Sequence, residues 1–396
     1  MKRWIALTLS LLLLCVALTA CGQAPADVNP VEIDAVQPEG WYTEGTVRLS
    51  QKQIDTIVGA AYTTPKNVIV IIGDGMGPND ITLAQDYAQG VYDYGLVVNK
   101  LPHHGLVTTH SADQAVTDSA ASATALSTGT KTNNGTIGKD PEGNDLLTMA
   151  ERARQAGKKV GIVTDDLMSG ATPTAFTVHN ADRGNTAELI NAMVQFTPDV
   201  MISQDYMATF APLRDEARQI FTKECLVAEK FKDFIRVLDT DPTCEKPFFG
   251  FMSGYSTVAS DELAQCTQIA LQRLQNDSGF FLMVESCGTD KYGQQNNMNG
   301  KLNSVVTLDR AVAAALLFMQ DNPDTLLIVT SDHETGGVVL PEGEGDVNVR
   351  DLLTINEHTD TPVRVFAVGK GAEYFDGKTV DNTDVAKFII DAIEGE

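Results

Sequence analysis

Val68-Ile69-Val70-Ile71-Ile72 is an unbroken β-branched run that stops at Gly73, and the reading of the fold turns on it. Five such residues in a row leave no polar face, so a strand made from them is covered on both sides. Short apolar runs of the same kind recur at 160–163, 280–284, 326–329 and 363–368. Helical patterns lie between them, as at 146–155, 263–274 and 302–319. Alternation of this sort predicts an α/β fold with a mostly parallel central sheet and helices on both faces. Residues 204–247 carry fewer strand signals and read as a helical insertion or cap. No repeat of solenoid or propeller period is present.

Working outward, the chain has 396 residues, enough for one large domain or two smaller ones. Its formal net charge is -24, from 53 acidic against 29 basic residues. That excess disfavours nucleic acid and anionic lipid headgroups as partners. Phosphate chemistry stays open, because bound divalent cations reverse the local sign.

Lys2 and Arg3 precede an apolar stretch, residues 5–20, that ends in small residues before Cys21. This shape reads as an export signal over 1–20, too short for a stable membrane-spanning helix. Leu18-Thr19-Ala20-Cys21 also has the form of a bacterial lipoprotein cleavage site, making Cys21 the lipidated first residue of the mature chain. Cleavage with free release is the alternative. Residues 21–65, rich in Pro, Glu and Gly, read as a tether and lead-in to a catalytic domain over 66–396. Cys225, Cys244, Cys266 and Cys287 allow three disulfide pairings or free buried thiols, and their spacing suits no cysteine-built zinc site.

In open α/β sheets functional residues gather where strands end. Here those places read Gly73-Asp74-Gly75, Glu285-Ser286-Cys287 and Ser331-Asp332-His333, each with a carboxylate and the last with an imidazole. The spacing Gly73-Asp74-Gly75-Met76-Gly77 is not a dinucleotide loop, and Gly129-Thr130-Lys131-Thr132 lacks the upstream glycine of a P-loop. Tight turns around a cation explain the glycines better. Thr117-Asp118-Ser119-Ala120-Ala121-Ser122-Ala123-Thr124-Ala125-Leu126 suits a helix packed closely on the sheet, with Ser119 in its first turn. A serine there serves as a cap or filler, or stands where free N–H groups dock a phosphate.

Together these stretches resemble the alkaline phosphatase family. The match rests on Ile72-Gly73-Asp74-Gly75-Met76-Gly77, Thr117–Ala125, Ala171-Thr172-Pro173, Val284-Glu285 with Asp290, Ser331–Gly337 and Glu357-His358-Thr359, in the family's order. The resemblance implies a phosphomonoesterase in which Ser119 attacks phosphorus and carries a phosphoserine intermediate. It implies one zinc on Asp74, Asp332 and His333 beside that nucleophile, and a magnesium on Asp74, Thr172 and Glu285. It implies a second zinc on Asp290 and His358, supporting departure of the leaving group. Arg183 matches the family's phosphate clamp, oriented by Asp118.

Two positions depart from the family pattern. A histidine is expected four residues after Asp290, but Gln294 stands there, and a neutral amide oxygen is a weaker, harder ligand than imidazole. Gly170 occupies the place two residues before Thr172 where the family often has Asp or His, which predicts weaker support of the magnesium. His103, His104, His110 and His179 read as loop or core residues and Asp309 as part of a helix face. Lys291 reads either as a phosphate contact through water or as a solvated lysine. The expected partners are small phosphomonoesters and, through a lipid on Cys21, the outer side of the cell membrane. A short segment between Gly337 and Glu357, where many family members carry a dimer-forming insertion, predicts a monomer or weak dimer. A phosphodiesterase on the same fold, and a metal- or phosphate-binding surface lipoprotein with weak turnover, are the competing readings.

Overall fold

A computed structural model describes residues 45–341 and 349–395. Its centre is a ten-stranded sheet. In chain order the strands are β1 (Asn67–Gly73), β2 (His103–Thr108), β3 (Lys159–Leu167), β4 (Val200–Gln204), β5 (Leu226–Ala228) and β6 (Phe248–Met252). They continue with β7 (Phe280–Ser286), β8 (Thr325–Thr330), β9 (Glu334–Thr335), β10 (His358–Thr359), β11 (Val363–Val368) and β12 (Thr379–Asp381). The sheet runs β12-β2-β11-β8-β1-β7-β3-β4-β6-β5, and β9 pairs with β10 in a separate two-stranded ribbon. Every neighbour pair in the large sheet is parallel except those of β11, which runs against both β8 and β2.

All seven residues of β1 are buried, as its unbroken apolar run requires. Odd and even positions feed different cores: Ile69 and Ile71 join one apolar cluster, Val68, Val70 and Ile72 the other. Full burial of each such side chain contributes about 1.5–3 kcal/mol. The expected runs at 160–163, 280–284, 326–329 and 363–368 lie within β3, β7, β8 and β11. The helix Met298–Asp321 is long and apolar enough to span a membrane, yet 89% of its most apolar window is buried against the sheet and its neighbours. It is a core element.

The segment 204–247 differs from a purely helical insertion. It holds several helices of five residues or fewer, but also β5, which extends the main sheet beside β6. The four cysteines at 225, 244, 266 and 287 are all unpaired. Cys21, the signal segment and most of the lead-in lie outside the described residues.

Candidate active site

β1, β7 and β8 lie side by side, so the residues just past their ends share one edge of the sheet. Asp74 follows β1, Glu285 is the penultimate residue of β7, and Asp332 and His333 follow β8. Asp332 is aimed by its surroundings. Its Oδ1 accepts the Gly75 N–H at 3.0 Å and the His333 N–H at 2.9 Å. Its Oδ2 is buried with no hydrogen-bond partner, and so is Asp74 Oδ1. His333 Nε2 lies 3.3 Å from Asp332 Oδ2, 3.4 Å from Asp74 Oδ1 and 3.2 Å from Ser119 Oγ. Four side chains separated by up to 259 positions in sequence therefore converge on one point.

Ser119 opens the helix Ser119–Thr128, whose every residue is buried. Ala, Ser and Thr make that close approach to the sheet feasible, and Ser122 Oγ donates to the Asp332 carbonyl at 2.6 Å. The helix is capped by Asp118, whose carboxylate accepts from Ala121 N at 2.9 Å and from Gly135 N at 3.0 Å. Arg183 Nη1 donates to the same carboxylate at 2.9 Å, which ties the guanidinium to the residue preceding Ser119.

A second group, Asp290, His333 and His358, also brings its ligand atoms within 4.8 Å of one another. His358 Nε2 lies 3.2 Å from Asp290 Oδ1, while its Nδ1 lies 3.0 Å from the Thr117 carbonyl. A proton on Nδ1 donated to that carbonyl leaves Nε2 free to bind a metal. Thr335 does the corresponding work for His333: its hydroxyl donates to Asp290 Oδ1 at 2.6 Å and lies 3.3 Å from His333 Nδ1. The two imidazoles stack with centroids 3.6 Å apart. Gln294, exposed at the end of the helix Gly288–Gln294, donates from Nε2 to Asp290 Oδ2 at 2.9 Å.

The third set is all oxygen. Thr172 Oγ1 is buried without a hydrogen-bond partner. Glu285 Oε2 accepts from Thr164 Oγ1 at 2.5 Å. The space beside Gly170 is occupied by its neighbours. A Cβ placed there would meet Asp166 Oδ2 at 3.2 Å, so a carboxylate from four residues earlier fills the region. Lys291 Nζ lies 3.5 Å from that oxygen, which makes the lysine an ion-pair partner rather than a solvated side chain.

Burial drives the electrostatics. It pushes Asp332 up to about 7 and, with Asp166 adding to the effect, Glu285 up to about 8. Asp74 is raised well above the carboxylate range by burial and then by Asp332, Asp290 and Glu285. Burial, followed by His358, lowers His333 to about 3 and keeps its imidazole neutral. Carboxylates this crowded ionise together only against added positive charge, and a divalent cation supplies it. With the partnerless oxygens of Asp74, Asp332 and Thr172, the donor chemistry fits metal ions.

A family model described as alkaline phosphatase matches residues 65–208 and 255–346. The chain belongs to the alkaline phosphatase family. Membership makes it a phosphoric monoester hydrolase that binds metal ions and acts on small phosphate esters. An alkaline phosphatase of Escherichia coli is 29% identical over 96% of this chain and 97% of its own length. A streptomycin-6-phosphate phosphatase of Streptomyces griseus is also 29% identical, over 81% of this chain and 88% of its own. The solved alkaline phosphatase of the Antarctic bacterium TAB5 superposes with a TM-score of 0.71 at 26% identity, covering 85% of this chain and 99% of that one.

The sequence patterns did not reveal Thr335, the Thr117 carbonyl or Asp166 as parts of this region. Thr335 stood inside a quoted motif, but its target, Asp290, is 45 residues away. Asp309 lies on a helix face, but the buried one. It accepts the Val97 and Val98 N–H groups at 3.0 and 2.8 Å.

Proposed function

We propose that this alkaline phosphatase hydrolyses phosphate monoesters through a phosphoserine at Ser119, outside the cytoplasmic membrane. The observation that carries the reading is the convergence of Ser119 Oγ, His333 Nε2, Asp74 Oδ1 and Asp332 Oδ2, two of these oxygens buried without partners. Asp74, Asp332 and His333, and again Asp290 with His358, offer the imidazole and carboxylate donors that zinc takes. Asp74, Thr172 and Glu285 offer only oxygen, which suits magnesium. When bound, such cations ease ionisation of the serine hydroxyl and offset charge on the phosphoryl group.

The chain's own residues do the rest. Ser119 supplies the attacking oxygen from the first turn of a helix, where unpaired N–H groups and the positive dipole end favour an anion. Arg183 binds two phosphoryl oxygens with its planar fork, and Asp118, held by two backbone N–H groups, sets the direction of that fork. The Thr117 carbonyl and the Thr335 hydroxyl fix the His358 imidazole and the Asp290 carboxylate on the leaving-group side. Gln294 offers only a neutral amide there, so the slow half of the cycle is release of phosphate from Ser119. Position 294 also favours a second reading, a surface lipoprotein that binds metal and phosphate with weak turnover.

The test is phosphate release from simple monoesters by metal-reconstituted protein, with Ser119→Ala beside it. Steady release that the variant abolishes is expected. No release from any monoester, with Ser119→Ala indistinguishable, selects the binding reading. Export and a lipid on Cys21 belong to the same proposal: mass spectrometry of the mature N-terminus is expected to find diacylated Cys21, and an unmodified chain starting elsewhere contradicts the anchor. Sedimentation at low micromolar concentration is expected to show a monomer or weak dimer.

A further inference from the structure

The pairing of β3 with β4 slips near its end. Val163 faces Ile202, but the next partners are Leu167 and Gln204, so four steps on one strand answer two on the other. Irregularities of this kind re-aim side chains and recur beside active sites. Here the slip carries Asp166. Its backbone N–H donates to Thr164 Oγ1 at 2.9 Å, and that hydroxyl donates onward to Glu285 Oε2 at 2.5 Å. Its Oδ1 accepts from Leu167 N at 2.8 Å and from Gln204 Nε2 at 3.3 Å. The Gly170 N–H returns to the Leu167 carbonyl at 2.8 Å, a tight turn that folds position 170 back onto Asp166 just before Thr172. Asp166 Oδ2 then sits 3.2 Å from where a side chain at 170 would begin, and 3.5 Å from Lys291 Nζ.

We infer that Asp166 is a positioning residue of the magnesium site, supplying from the β3 irregularity the carboxylate that position 170 lacks and holding Lys291 beside Asp290. The inference rests on the proposed assignment of Asp74, Thr172 and Glu285 to magnesium. It also bears on Gly170, where a Cβ would press on the Leu167 carbonyl at 3.0 Å and on the Asp166 carboxylate at 3.2 Å. Partners that support metal ligands from outside the ligand set change metal affinity by about 10–100-fold when removed.

The test is calorimetric titration of magnesium into the zinc-reconstituted full chain, for the natural protein, D166A, D166N, G170D and the double variant D166A/G170D. D166N keeps the size and the Oδ1 acceptor, so it separates charge from packing. Melting in chelator checks that each variant is folded. Both single variants at 166 are expected to weaken magnesium binding by about tenfold or more. G170D alone is expected to gain nothing, whereas D166A/G170D recovers to within about threefold of the natural chain, the non-additivity of two residues sharing one place. Folded D166A and D166N that bind magnesium within about twofold of the natural chain overturn the inference. So does a double variant no better than D166A, or a natural chain that takes up no magnesium. Magnesium uptake is read without turnover, so a failure here is distinct from a failure of Ser119 to act as nucleophile.

Discussion

Around Ser119, the donors Asp74, Asp332 and His333 are buried and held by the loops that follow β1 and β8. Around Asp290, the position facing it is Gln294, an exposed amide at the end of a seven-residue helix. His358, its other partner, comes from a two-residue strand outside the main sheet. In the proposed mechanism, the half that prepares the nucleophile is thus framed by central strands, while the half that serves the leaving group depends on peripheral elements. A ligand set by the centre of a sheet tolerates little change. One set by a helix end admits Gln in place of His without disturbing the fold, and the consequence falls on chemistry.

Three substitutions break or sharpen this contrast. Ser119→Ala removes the nucleophile from the rigid half and is expected to lower kcat by roughly 10³-fold or more, with melting unchanged. Arg183→Ala is expected to cost about 10²-fold in kcat/KM, the scale of losing one fixed charge-stabilising donor; a loss confined to stability contradicts its role. Gln294→His addresses the peripheral half: zinc affinity is expected to rise about tenfold and phosphate release to quicken, measured by elemental analysis and single-turnover kinetics. Unchanged zinc content and rate contradict the account of that position.

The smallest effect lies away from both halves. Burial pushes Asp309 up to about 6. Because the native state holds this proton more tightly than the unfolded chain, its contribution to stability is complete below about pH 4 and is lost as pH rises through about 6. The stability of the natural chain relative to Asp309→Asn is therefore expected to fall by up to about 3 kcal/mol between those limits, measured by urea unfolding. A difference independent of pH contradicts it.

The parallel core was legible because β1, β7 and β8 are buried on both faces and leave unbroken apolar runs. β2 was not, since His103-His104-Gly105 alternates exposure at the sheet's side and carries no such run. β5 is three residues long, below the length at which any period shows. At the site, residues one step past a strand could be read from the chain, because a strand's end fixes their place. Asp166 could not. Its role depends on a register slip and on the absence of a side chain at 170, and neither leaves a periodic trace. Asp309 was read as part of a helix face, which it is, but its capping role was not legible because the N–H groups it caps lie more than 200 residues earlier.

The contrast between the two halves comes to one observable, the covalent state of Ser119 during turnover. Acid-quenched protein, sampled soon after monoester addition and analysed by peptide mass spectrometry, reads it directly. The account predicts phosphoserine at Ser119 in a large fraction of the chain, and much less of it in Gln294→His. Phosphate on another residue, or none on Ser119 while product accumulates, contradicts it.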